Sequence, residues 1–270
     1  MFRYIFAVGE YMANMANIAR AALESALRDR KLDRTLTTAP WSPGDRDPSV
    51  LVPTDVAVLD TCLHGGFPRG QVSEIAGPSS SGRTALLLAL VGAATRRGEI
   101  AAIVDTLDRL DIASTTVAGI DRTHLLWVRG QAIAGSLPGI ERALDRALKA
   151  FTLVLQAGGF GVVALDVADV PAAALTRLPF TTWLRVQRMV EGSDTACVIV
   201  APQPLARSAD GLTLVLNSST PPTPGWAGNS NRSRRLAGLD VAARVVSPRR
   251  RVDGEIVVRC TVEDVRRPGL

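Results

Sequence analysis

The stretch Gly77-Pro-Ser-Ser-Ser-Gly82-Arg83-Thr84 constrains this chain more than any other. Its two glycines let the backbone curl until successive amides point into the turn, with Pro78, Ser79, Ser80 and Ser81 between them. Ahead of it runs Val72 to Ala76, short and mostly apolar, and behind it Arg83 to Arg96 has the pattern of a helix. A strand, a glycine-framed loop and a helix in that order form the phosphate loop G-x-x-x-x-G-K-[ST], except that Arg83 stands where the pattern has Lys. In such a loop, amides and the positive end of the helix face phosphate oxygens, and a hydroxyl at the position of Thr84 can hold Mg²⁺.

The rest of the pattern agrees with that start. Ile100 to Val104, Leu125 to Arg129, Gly161 to Leu165 and Ala196 to Val200 read as strands; Ile112 to Ala118, Gly139 to about Leu155 and Pro179 to Glu191 read as the helices between them. Alternating strands and helices make a parallel sheet with crossover helices, and short, fully apolar runs suit strands buried on both faces. With 47% hydrophobic and 21% charged residues over 270, the length of one large domain or two small ones, the chain can bury a real core, which excludes wholesale disorder. Its longest apolar stretch, Ala85 to Ala94, falls short of the roughly 20 residues of a membrane span. The start carries Glu10 and lacks a sustained apolar region, so a soluble, unexported chain is expected. Cys62, Cys197 and Cys260 lie far apart without C-x-x-C spacing, which suggests neither a disulfide framework nor zinc and fits a reducing cytosol.

The flanks differ from this core. Ile18 to Leu32 has the spacing of an amphipathic helix within a segment 1–34, and 35–55, with Pro40, Pro43, Pro48 and Pro53, reads as a linker to a core over 56–270. Asn217 to Arg235, rich in Pro, Gly and Ser, reads as a mobile loop. Val241 to Val246 and Glu255 to Val262 read as a hairpin at a sheet edge, joined through Arg249, Arg250, Arg251 and an Asp-Gly turn. From Arg232 to Leu270 there are ten Arg against five acids, a balance equal to the whole chain's net charge of +5. Such a segment suits either contact with a polyanion or a plain solvated surface.

Several ordered elements together resemble the ATPase core of the RecA recombinases. These are Leu59-Asp60, then Gly65-Gly66-Phe67-Pro68-Arg69-Gly70, then Glu74 through Thr84. They continue with Val104 to Asp111, Val162 to Asp166 and Val198 to Gln203. The resemblance implies an α/β RecA-like P-loop core, a mostly parallel sheet with helices on both faces, an N-terminal helix and a C-terminal β-hairpin. It implies ATP or ADP with Mg²⁺ at Gly77 to Thr84, with Asp111, Asp166 and Gln203 also in the site and Thr84 and Asp166 on the metal. It places the loop after Gln203, with Trp226, Arg232, Arg234 and Arg235, where single-stranded DNA would be met, and positive charge alone adds Arg249, Arg250 and Arg251 as expected DNA contacts.

The departures qualify that expectation. Leu107 stands where the resemblance calls for the Glu that activates the attacking water, and an aliphatic side chain cannot accept a proton. Asp108, next to it, is the nearest substitute. Arg83 is bulkier than Lys and planar. The aromatic platform for adenine would fall at Ser114. The chain ends at Leu270 without the separate C-terminal domain of full recombinases. Reduced chains of this kind are similar to the ImuA group encoded with translesion polymerases. That similarity implies an accessory role in DNA repair, damage tolerance and SOS-type mutagenesis, in a bacterial cytoplasm and at the nucleoid. Its expected partners are an ImuB-like polymerase subunit, an error-prone polymerase or RecA, and no membrane. Ile18 to Leu32 resembles the helix through which RecA protomers join, so self-association is expected there, or else a helix covering its own core. A DNA-dependent ATPase or recombinase, supported by Thr84, Asp166 and Gln203, stays open as the alternative, and a small-molecule kinase is weaker.

Remaining residues are read plainly. His64 and His124 lack acidic or Cys partners at ligand spacing and are taken as a turn and a strand-edge residue. No His or Asp follows Ser79 to Ser81 in a nucleophile arrangement. Trp183, near Arg185 and Arg188, suits core packing better than base stacking, whereas Trp226 suits stacking.

Overall fold

A computed structural model describes residues 50–131, 137–206, 211–216, 223–230, 232–246 and 256–261. The segment 1–49, with the expected helix Ile18 to Leu32, lies outside the described residues, as do 217–222 and Arg249, Arg250 and Arg251.

The fold centres on one large sheet. Strands β3 (Gln71–Ala76), β4 (Ala101–Asp105), β5 (Leu125–Arg129), β6 (Val162–Asp166), β7 (Ala196–Ala201) and β8 (Thr213–Leu216) run parallel. Strands β10 (Arg235–Val245) and β11 (Ile256–Thr261) form the expected antiparallel hairpin at the edge. Across the sheet the order is β11-β10-β8-β3-β7-β6-β4-β5. Along β4, β6 and β7 successive side chains go to opposite faces: Ala101, Ile103, Val162, Ala164, Val198 and Val200 to one core, Ala102, Val104, Val163, Leu165, Cys197 and Ile199 to the other. Both faces need cover, which is why these strands are apolar throughout. Before the phosphate loop, α1 (Ala57–Cys62) lies on the first face; α2 (Arg83–Arg96), apolar nearly all round with Leu86, Leu87, Leu90 and Val91 buried, packs there too. The long α4 (Leu137–Ala157) and α6 (Phe180–Val190) cover the second face through Ala143, Leu144, Phe151, Trp183 and Val186. Between β4 and β5 stands α3 (Ile112–Val117), and a single turn, α5 (Ala172–Leu175), precedes α6.

Two segments depart from the sequence reading. Leu51–Val52, placed in the linker, are buried and form β1, antiparallel to β2 (Phe67–Pro68). Gly66 makes that contact, since a Cβ there would lie 2.1 Å from the Val52 carbonyl oxygen. Asn217 to Arg235 is not loop throughout, because Thr223–Ala227 form strand β9 on β10. Pro224 and Gly225 hide it in the sequence, yet Pro is tolerated where a strand's outer side is unpaired. Within the segment, 217–222 and residue 231 lie outside the described residues.

Candidate functional site

The carboxyl ends of β3, β4 and β6 carry the residues singled out in the sequence. After β3 the chain turns through Gly77 to Gly82, with Ser80 at φ 59° and Gly82 at φ 88°, and enters α2 at Arg83. Gly77 is needed for space: a Cβ there would lie 2.7 Å from Ser81 Oγ and 2.8 Å from the Leu216 carbonyl oxygen. No side chain caps the start of α2. Pro78, Ser79, Ser80 and Thr84 are exposed, whereas Ser81 is buried. The backbone of a phosphate cradle is therefore present.

Its cation is turned inward. Arg83 is only 6% exposed, and its Nη1 donates to the Gly77 carbonyl at 2.7 Å and to the Ala168 carbonyl at 3.2 Å. Nη2 lies 3.7 Å from an Asp169 carboxylate oxygen. Burial lowers the guanidinium's proton affinity, with Asp169 and then Asp166 opposing that effect.

Asp105 and Asp166 are register neighbours at the ends of β4 and β6. Burial holds the Asp166 carboxyl up at about 6, helped by Asp105 and Asp169 and opposed by the Ala168 amide, which donates to Oδ1 at 2.9 Å, and by Arg83. Asp105, not singled out in the sequence, organises the turn after β4. It accepts from the Arg109 amide at 2.9 Å, the Leu110 amide at 2.8 Å and Trp127 Nε1 at 3.3 Å. Leu107 is buried in that turn. The space among Asp105, Leu107, Arg109, Asp166, Asp169 and Val170 is about 10 Å³, room for no more than one water.

Asp108 and Asp111 have partners outside the phosphate loop. Asp108 meets Arg129 in a two-pronged pair at 2.8 Å on each arm, which lowers its pKa and turns it away from the work of the missing Glu. Asp111 caps α3, accepting from the Ser114 hydroxyl and amide at 2.7 Å each; the hydroxyl, then the amide, hold its carboxyl below the ordinary range. Gln203 is exposed just beyond β7. Among the described residues no group of three or more His, Cys, Asp or Glu is arranged to hold a metal ion. The loop backbone fits a phosphate, but Arg83, held on the Gly77 and Ala168 carbonyls, is not turned toward one.

The C-terminal arginines meet a different geometry from the expected loop. β8 pairs with 243–245 of β10 and β9 with 235–240, both on the side opposite β11. Because β8 runs parallel to β3, β9 continues past the carboxyl end of β3, on the same edge as the phosphate loop. Trp226 sits opposite Leu236 on this ribbon, 52% exposed, with the Arg234 guanidinium 5.4 Å from its ring centroid. Arg232 and Arg235 are exposed beside it. Trp183 is buried in the core, His64 sits exposed at φ 55°, and His124 bonds Asp121. A second cavity of about 300 Å³, absent from the sequence reading, lies between β5 and α4 over Val104, Val128, Ala143 and Ala147, with Arg129 and Arg146 at its rim. No contiguous motif marks it, since its walls come from separate elements.

The sequence profile of the RecA N-terminal domain matches residues 46–174. The RecA protein of Acidothermus cellulolyticus is 36% identical over 133 residues, 48% of this chain and 35% of that protein. RecA of Mycobacterium ulcerans is 35% identical over the same length and shares, and RecA of Prochlorococcus marinus strain MIT 9303 is 43% identical over 74 residues, 27% and 20%. The chain thus matches about a third or less of these relatives' length. It carries a RecA-like α/β core. Among the described residues no helix is long and apolar enough to cross a membrane.

Proposed function

We propose that the chain is a RecA-like accessory protein of DNA repair and damage tolerance, similar to the ImuA group, that acts through protein partners and DNA rather than by ATP turnover. The observation that carries the reading is Leu107, buried against a space of about 10 Å³ that it shares with Asp166. A hydrolytic site needs a base within reach of an attacking water, and neither Leu107 nor the Arg129-paired Asp108 offers one. The proposed partners are an ImuB-like polymerase subunit, an error-prone polymerase or RecA, with self-association through Ile18 to Leu32. The proposed place is the bacterial cytoplasm at the nucleoid.

DNA contact is assigned to the ribbon residues Trp226, Arg232, Arg234 and Arg235, with Arg249, Arg250 and Arg251. Guanidinium groups neutralise phosphates whatever the sequence, and an exposed indole offers a face on which a base can stack. Binding of this kind weakens steeply with salt. Changing Arg232, Arg234 and Arg235 to Ala should weaken labelled single-stranded DNA binding at low salt at least tenfold. Unchanged DNA affinity with loss of a protein partner would move the cluster to protein recognition.

The alternative, a DNA-dependent ATPase, draws on Thr84, Asp166 and Gln203. A steady-state ATPase assay with single-stranded DNA separates the two. Turnover at a recombinase-like rate that Asp166→Ala abolishes would overturn the accessory reading.

A further inference from the structure

We infer that Arg83 is an internal ligand of the phosphate loop, a latch that holds the loop in one conformation without nucleotide and makes this chain's action nucleotide-independent. The inference rests on the reading of Gly77 to Thr84 as a phosphate loop without turnover, and adds what has taken the nucleotide's place.

A phosphate loop is a run of backbone that an anion ordinarily organises from inside, with the loop's cation facing that anion. Here the cation faces the protein. Arg83 closes back on the residue that opens the loop, six positions earlier, through the 2.7 Å bond to the Gly77 carbonyl. The same nitrogen reaches the Ala168 carbonyl, so one buried guanidinium ties the start of α2, the mouth of the loop and the turn after β6. Asp169 at 3.7 Å and the nearby Asp166 balance its charge. Buried charge is tolerated only when paired and hydrogen-bonded, and these contacts meet that requirement without a phosphate.

The planar fork of Arg is what makes this arrangement available. Its nitrogens reach two carbonyls and a carboxylate from one rigid group, whereas an ammonium is a compact point charge on a flexible stem. The Arg at the Lys position is therefore a working part of the loop. Two features agree with a loop closed on itself: the inward guanidinium, and the tight fit of Gly77 against Ser81 and the Leu216 carbonyl.

The test is hydrogen–deuterium exchange and thermal unfolding of the full chain, with and without millimolar ATP and Mg²⁺. In the parent chain we expect slow exchange at the bonded amides of the two segments, Gly77 and Ser81 in one and Val167, Ala168 and Val170 in the other, that ATP leaves unchanged, and a Tm that ATP moves by less than about 1 °C. In Arg83→Lys, exchange should quicken at least tenfold in both segments together, while β4 and β7 keep their protection. Should that variant not fold, Asp169→Asn carries the test. Asp169 is half exposed and lies at the latch's periphery, so several-fold faster exchange in the same two segments is expected. Protection of 77–84 by ATP in the parent, or unchanged exchange in the variants, overturns the latch. Tight ATP binding without turnover would remove the latch and leave the accessory reading standing. DNA-stimulated hydrolysis would remove the accessory reading as well.

Discussion

Glu74 lies at the centre of the sheet, fully buried, and its carboxylate holds the chain that follows Gln203. Oε1 accepts from the Leu205 and Ala206 amides at 2.6 Å each, and Oε2 accepts from the Thr213 hydroxyl at 3.3 Å. One side chain on β3 thus sets both the exit from β7 and the entry to β8, the root of the ribbon that carries Trp226. Glu74→Gln keeps shape and one acceptor but removes the charge. Bonds to a charged acceptor contribute roughly 1.5–3 kcal/mol each and neutral ones roughly 0.5–1.5, so two weakened amide bonds amount to about 2–3 kcal/mol. In a domain of this size that lowers Tm by about 5–10 °C. Glu74→Ala removes the acceptor of the Leu205 and Ala206 amides and adds a cavity, for a loss of about 4–5 kcal/mol. Urea unfolding gives the stabilities, and in Glu74→Gln hydrogen exchange at Leu205 and Ala206 should quicken well before that of the core strands. A Glu74→Gln protein with parental stability and parental exchange at those two amides would refute the tether.

Two further outcomes follow from the pocket. Leu107→Glu, which restores the residue type that the RecA resemblance calls for, replaces a buried aliphatic chain with a carboxylate beside Asp105, Asp166 and Asp169; a loss above about 2 kcal/mol is expected, without DNA-stimulated ATP turnover. Turnover gained at parental stability would refute this account. Burial lifts the Asp166 carboxyl to about 6 from 3.8, so the folded chain keeps a proton there that the unfolded chain releases. Stability therefore falls as pH rises from roughly 4 to 6, with a full cost on the order of 3 kcal/mol above that window. In metal-free buffer Asp166→Asn should gain on the parent across the same window, and a difference that stays constant with pH would contradict the raised value.

The parallel core was legible because each of its signals is local. Apolar runs such as Val162 to Leu165 and Val198 to Val200 admit only a strand covered on both faces, and helical patterning from Arg83 to Arg96 follows a glycine-framed turn that itself demands a strand before it. Leu107 and Arg83 also stood out in the sequence as departures from the RecA pattern. What they do was decided by tertiary structure. A guanidinium can face a phosphate or a carbonyl equally well, and Gly77, Ala168 and Asp169 come together only when β3 and β6 flank the same edge. Asp111, expected as a nucleotide contact, also caps its own helix, a bond made over three residues but invisible to spacing alone. The strand Thr223–Ala227 was missed because Pro and Gly argue against a strand locally, while pairing with β10 is a long-range gain. Glu74 passed as one more residue of an apolar strand, since nothing in the chain near it says that amides 131 and 132 positions away will need its oxygens. Local propensity and period determine which segments are strands and helices. Which polar groups are left to find each other at the carboxyl edge depends on the order in which those strands are laid side by side.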